Sequence, residues 1–227
     1  MSNKKILALR LSGVMQSWGY NSEYTYRNSG LFPTKSAVLG LCCAAKGLNR
    51  GSQEEQEFLE TIVDCSMTAI ALPRTQTAGE KSWSINVRRI DDFHTVEKTK
   101  TAAGKLNPHA VMTYRQYLCD ADFLVLLEVD TDIADNLKEK LTDPDWGIWL
   151  GRKSCIPSSP VFAGVFSNLD EVSSNLLEGQ SLSYFTCQKD VNSWEQGTDT
   201  LMDKPIDYAI DKRDRNQRRV KICEAGR

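Results

Sequence analysis

At 227 residues, 41% of them hydrophobic, the chain is long enough for one well-buried core with insertions or a small lobe. Its net charge of −2 excludes a protein that coats nucleic acid indiscriminately. The longest uncharged apolar stretch, Ala37–Ala45, is far short of the ~20 residues that span a bilayer, and the apolar run after Lys5 is broken by Arg10, so neither membrane anchor nor signal peptide is expected.

Lys5–Leu11 alternates, with Leu7, Leu9 and Leu11 on one side, and predicts a first strand. A polar loop holding glycines and aromatics runs from Ser12 to Pro33. Ala37–Ala45 follows Thr34 and ends at Gly47, the pattern of a buried helix with a glycine stop. Ser52-Gln53-Glu54-Glu55 fits a capping box opening a helix to about Ile62, and Cys65–Leu72 predicts a second strand closed by Pro73. Residues 74–118 are polar, with Trp83–Ile90 strand-like; so long an excursion inside a domain predicts a hairpin that projects from the body. Ala121–Val129 alternates again. Asp132 is placed to cap a helix carrying Ile133, Leu137 and Leu141 at i, i+4 and i+8. A loop with two glycines and two prolines, Gly147–Pro160, leads to a last strand, Val161–Phe166. The order strand, helix, strand, insertion, strand, helix, strand predicts an α+β fold, the ferredoxin-like βαββαβ plan, over residues 1–170. A poorly defined extension fills 171–227.

Seven cysteines without a CxxC pair, most in apolar settings, point to reduced cytosol and to no zinc site. Only two histidines occur, His94 and His109, and neither has a cysteine or carboxylate at ligand spacing, so no metal or other cofactor is expected. The Walker, dinucleotide-binding and nucleophile-elbow motifs are missing. Charge is unevenly spread. Residues 1–50 carry seven cations against Glu23 alone, and the last sixteen residues hold seven more against Asp214 and Glu224. That asymmetry suits a basic cleft on an acidic body.

Within Gly13-Val14-Met15-Gln16-Ser17-Trp18-Gly19 the glycines allow close backbone approach, and Gln16 and Trp18 are placed to meet a base edge and a base face. A strand-end turn with a packed Trp explains the segment equally well. Arg27, Lys35 and Ser36 precede and open a helix, whose N-terminus attracts phosphate. Gly151-Arg152-Lys153-Ser154 is a second basic loop. His94, with a nearby Lys or Tyr, is suited to metal-free RNA cleavage, but a histidine that stacks on or hydrogen-bonds to the insertion is the preferred reading.

Taken in order, five blocks resemble one family. They are Leu9–Gly19, Phe32-Pro33-Thr34-Lys35-Ser36 with Leu39-Gly40-Leu41, Asp92-Phe93-His94-Thr95-Val96, Tyr114–Ala121, and Leu150-Gly151-Arg152-Lys153-Ser154-Cys155. Between residues 6 and about 166 the chain resembles the CasD-type subunits of type I-E CRISPR surveillance complexes (Cascade), within the RAMP superfamily of ferredoxin-like RNA binders. The resemblance implies a non-catalytic subunit that binds the 5′ handle of CRISPR RNA and caps the backbone filament. Its neighbours would be backbone RAMP subunits and the large PAM-reading subunit, with target DNA met only through the complex and no membrane involved. It implies a thumb within residues 74–118 that kinks the RNA, and RNA contacts from Gln16, Trp18, Arg27, Lys35, Ser36, His94, Arg115, Arg152 and Lys153. Lys35 and Lys153 stand where the family often has Arg, which keeps the charge but not the bidentate fork. The alternatives are a metal-independent endoribonuclease acting on repeat RNA and a stand-alone RRM-like module.

Overall fold

The computed structural model describes residues 4–85, 87–101, 103–209 and 214–225. In chain order the elements are β1 (Lys4–Ser12), β2 (Met15–Gln16), β3 (Tyr26–Arg27), α1 (Lys35–Ala45), α2 (Gln53–Ile62), β4 (Ser66–Ala71), β5 (Arg74–Ala78), β6 (Lys81–Ile85), β7 (Arg88–Val96), β8 (Val111–Cys119), β9 (Asp122–Asp130), α3 (Thr131–Thr142), β10 (Phe162–Phe166), α4 (Leu169–Leu176), β11 (Cys187–Asp190), β12 (Asp199–Asp207) and β13 (Asp214–Cys223). Seven strands form one antiparallel sheet in the order β10-β1-β9-β4-β11-β13-β12. The result is a mixed α/β protein built on a large antiparallel sheet.

The sheet is covered on both faces, which explains the apolar runs of its central strands. In β1, Leu7, Leu9 and Leu11 point to a core shared with α1, α2 and α3, while Ile6 and Ala8 point to a second core under α4. β9 divides the same way: Val125 and Leu127 join the first core, Leu124 and Leu126 the second. Register follows from this division, since Leu7 faces Leu127 and Leu9 faces Val125 across the ladder; a one-residue slip would exchange the two cores. α1 has almost no polar face. Val38, Leu39, Leu41, Cys42, Cys43 and Ala45 are all buried, and the chain leaves the helix through Gly47 at φ +69°.

Several expectations need revision. The helix after β9 begins one turn's fraction earlier, with Asp130 rather than Asp132 at its N-cap. In α2, Ser52 Oγ accepts from Glu55 N–H at 3.2 Å, but the Glu55 carboxylate accepts from Gly51 N–H at 2.6 Å, one residue before a capping box would place it. Trp83–Ile90 is not one strand: it divides between the end of β6 and the start of β7, with Asn86 outside the described residues. Residues 74–118 hold two hairpins, β5–β6 and β7–β8, and β8 also pairs with β2 and β3. The segment beyond 170 is no loose appendage. It supplies α4 and three strands that continue the sheet outward from β4.

Burial accounts for most of the thiols. Cys42, Cys43, Cys65, Cys155 and Cys187 are buried, Cys119 and Cys223 partly exposed. Loss of hydration raises the Cys43 thiol to about 12 and the Cys65 thiol to about 11, so thiolate is scarce there at neutral pH. Brief iodoacetamide treatment at pH 8, read by peptide mass mapping, should label Cys119 and Cys223 first. Prompt labelling of Cys42 or Cys43 in native protein would contradict the packing of α1.

Candidate nucleic-acid interface

Two loops meet beside the N-terminus of α1 and create a cleft. The loop after β1 folds back through β2, where Gln16 and Trp18 lock it from inside. Gln16 Nε2 donates to the carbonyls of Leu11 (2.9 Å) and Ala121 (2.7 Å), and its Oε1 accepts from Trp18 Nε1 at 3.1 Å. Both side chains are fully buried. Neither has surface to offer a base, so the expected base contacts give way to a structural pair. Its effect is to fix the next loop: Trp18 N–H donates to Ser29 Oγ, and Gly30 N–H to the Trp18 carbonyl, holding β3 beside β8.

The second loop, residues 147–160, lies against the first. Ser17 N–H donates to the Leu150 carbonyl at 3.0 Å, and Leu150 and Cys155 are buried beneath. Gly151 adopts φ +92°, and a Cβ there would collide with the Ser17 carbonyl oxygen. This contact delivers Arg152. Its guanidinium lies 4.6 Å from the Tyr117 ring centroid, Nη2 donates to the Arg27 carbonyl at 3.1 Å, and Nη1 is buried with no hydrogen-bond partner among the described residues. Arg27 and Arg115 are directly paired between β3 and β8, so both project to one face. Lys153, Arg50 and Arg215 complete the cations of two adjoining cavities, of about 790 and 670 Å³, which share Arg152 and Arg215. Among the described residues only Glu55 and Asp214 oppose them in the lining. Burial raises the Glu55 carboxyl above its usual range, against the bond it accepts from Gly51.

Lys35 is not part of this surface. Its ammonium is buried, donating to the Cys65 carbonyl at 2.5 Å and pairing with Asp190 at 3.1 Å. The expected phosphate position at the start of α1 is taken from within, because Asp203 Oδ2 accepts from Lys35 N–H at 2.9 Å. Asp203 and Asp190 in turn share Arg218. Ser36 borders the larger cavity, though its side chain is largely buried and its carbonyl accepts from Tyr208 Oη. His94 sits on the exposed hairpin β7–β8, hydrogen-bonded to Asp92, and lines neither cavity. The structure therefore gathers Arg27, Ser36, Arg115, Arg152 and Lys153, and leaves Gln16, Trp18, Lys35 and His94 elsewhere. Arg50, Arg215, Trp146 and Trp149 join the cleft without having been singled out. The basic character of residues 1–50 and of the C-terminus was the available signal for the two arginines; nothing marked the tryptophans.

Among the described residues no group of metal-binding side chains occurs, and no helix is long and apolar enough to cross a membrane. The CRISPR-associated protein family Cas5 (Cas_Cas5) matches residues 6–221. The CRISPR system Cascade subunit CasD of Escherichia coli (strain K12) is 32% identical over 165 residues, 71% of each chain. The chain belongs to the Cas5 family. It is a Cas5 protein of the CasD type. A solved chain described as a CRISPR RNA-guided surveillance complex is similar to this Cas5 protein with a TM-score of 0.70 and 22% identity, covering 97% of this chain and 90% of that one. Another, described as a crystal structure of a Cas protein, gives 0.60 and 21%, over 97% and 98%. At those identities the likeness establishes the fold alone.

Proposed function

We propose that this Cas5 protein is a Cascade subunit that binds the 5′ handle of a CRISPR RNA and caps that end of the complex without cleaving the RNA. The observation that carries the reading is the cleft: Arg27, Arg50, Arg115, Arg152, Lys153 and Arg215, drawn from segments across the whole chain, converge on one concavity in a protein of net charge −2. Single-stranded RNA needs such a groove, with arginines on the backbone and aromatic faces for unstacked bases. Because guide–target pairing supplies sequence specificity, gripping the handle is sufficient. In this reading the strand order β10-β1-β9-β4, with helices joining β1 to β4 and β9 to β10, is a ferredoxin-like core. The hairpins of residues 74–118 are the thumb. Neighbouring backbone RAMP subunits, the large PAM-reading subunit and, through them, target DNA complete the assembly in the cytoplasm.

Co-expression with the adjacent CRISPR genes and array, followed by sequencing of RNA that copurifies with this chain, tests the proposal. Guide RNAs sharing one 5′ handle are expected, and the same processed ends should persist with His94→Ala. The pair Arg115→Glu and Arg152→Glu should strip most of the RNA and flatten the salt dependence of what remains. Accumulation of uncut precursor with His94→Ala would make the protein a nuclease, and recovery of no guide RNA would sink the reading.

A further inference from the structure

Trp146 and Trp149 border the larger cavity from the loop that follows α3, with 42% and 39% of their surfaces exposed. Trp194, also exposed, is occupied, lying 4.1 Å from the Arg219 guanidinium. Neither Trp146 nor Trp149 has a ring or cation partner among the described residues. Trp149 is nonetheless held in place. It packs over Gly147 so closely that a Cβ there would meet Cζ2 at 2.8 Å. Two half-exposed indoles thus border a concave, cation-lined space, a setting that suits a flat aromatic ligand.

Arg152 and Arg215 line the same cavity, and both are half-buried. The pair calls for an anionic oxygen, which makes strong charge-assisted hydrogen bonds to guanidinium groups. Phosphate meets the requirement, being acceptor-only, charged, and able to bridge arginines brought from the 147–160 loop and from β13. The volume of about 790 Å³ lies within the range of about 300–1,000 Å³ found for small-ligand sites.

We infer that this cavity is a nucleotide subsite, in which Arg152 and Arg215 hold one phosphodiester of a single-stranded RNA while a base turned out of the strand lies against Trp146 or Trp149. The inference rests on the RNA-binding reading above and adds to it where the strand leaves its regular path. Stacking registers that a base is present rather than which base it is, so the subsite is tolerant of base identity at that nucleotide.

An abasic scan tests the subsite. The full-length chain is titrated with single-stranded RNAs carrying the repeat sequence of its own CRISPR array, each with one abasic nucleotide at a successive position. One position should lose roughly tenfold or more in affinity when its base is removed. In Trp146→Ala/Trp149→Ala that position should become indifferent to the missing base, whereas Trp146→Phe/Trp149→Phe should keep the penalty. Tight binding of intact RNA with every abasic position tolerated overturns the subsite and leaves the RNA-binding reading standing. A penalty that persists unchanged in the Ala pair overturns it as well. Failure of the wild-type chain to bind any of the RNAs overturns both. The wild-type scan does not depend on any variant folding.

Discussion

Arg218→Met is expected to lower the folding stability by about 3–5 kcal/mol, read as a shift in the urea midpoint at constant slope. Arg218 is buried on β13. Its Nε and Nη2 donate to the two oxygens of Asp203 at 2.6 and 2.9 Å, and Nη1 donates to Asp190. Burial works against its charge, but Asp203 and Asp190 outweigh that and hold its pKa above the ordinary value. Removing the guanidinium leaves Asp190 with the Lys35 ammonium and the Met67 N–H, and Asp203 with the Lys35 N–H that it caps at the start of α1. The loss comes from stranding charge, not from forfeiting a strong bond. Asp190→Asn with Arg218→Met should therefore recover part of it, and additive losses in the two substitutions would contradict the coupling.

Gly151→Ala should be the most damaging single change in the cleft, costing at least about 1–3 kcal/mol. Left-handed backbone penalises any Cβ, and here the added atom also meets the Ser17 carbonyl, which cannot move without disturbing the Trp18 anchor. The loop must shift, carrying Arg152 away from Tyr117 and the Arg27 carbonyl. Thermal melting and RNA affinity should fall together. Gly19→Ala is the control for the melting temperature, since a Cβ there meets nothing within 4 Å.

Periodicity carried the central sheet well, because β1, β4 and β9 are buried strands whose apolar residues leave little ambiguity. It carried the last quarter poorly. In β12 and β13 the inward positions are mixed: Leu201 and Val220 are apolar, but Asp203 and Arg218 between them face inward as a charge pair, which interrupts the apolar alternation. The same pair explains the misreading of Lys35. A lysine at a helix start looks like a phosphate ligand until a carboxylate from 168 residues away is seen to occupy that end. Gln16 and Trp18 show the converse. A Trp beside a Gln between two glycines suits an RNA contact, yet each satisfies the other's polar group inside the core. Arg27 and Arg152 stood out through their basic loops, whereas Arg115 was singled out only through the resemblance and is brought beside Arg27 by the β3–β8 pairing.

The ionic link between Lys35 and the strands at the far end of the chain also sets an order of events during synthesis. α1 and β1 leave the ribosome early, but the carboxylate that caps α1 and the arginine that neutralises it lie at residues 203 and 218. Arg215 and Tyr208, which wall the larger cavity, arrive in the same late stretch. Half-made chains hold the basic loops without the wall that shapes them. The cleft is closed only once residues 208–218 have been made, so a product truncated before them retains much of the positive charge without the wall that shapes it.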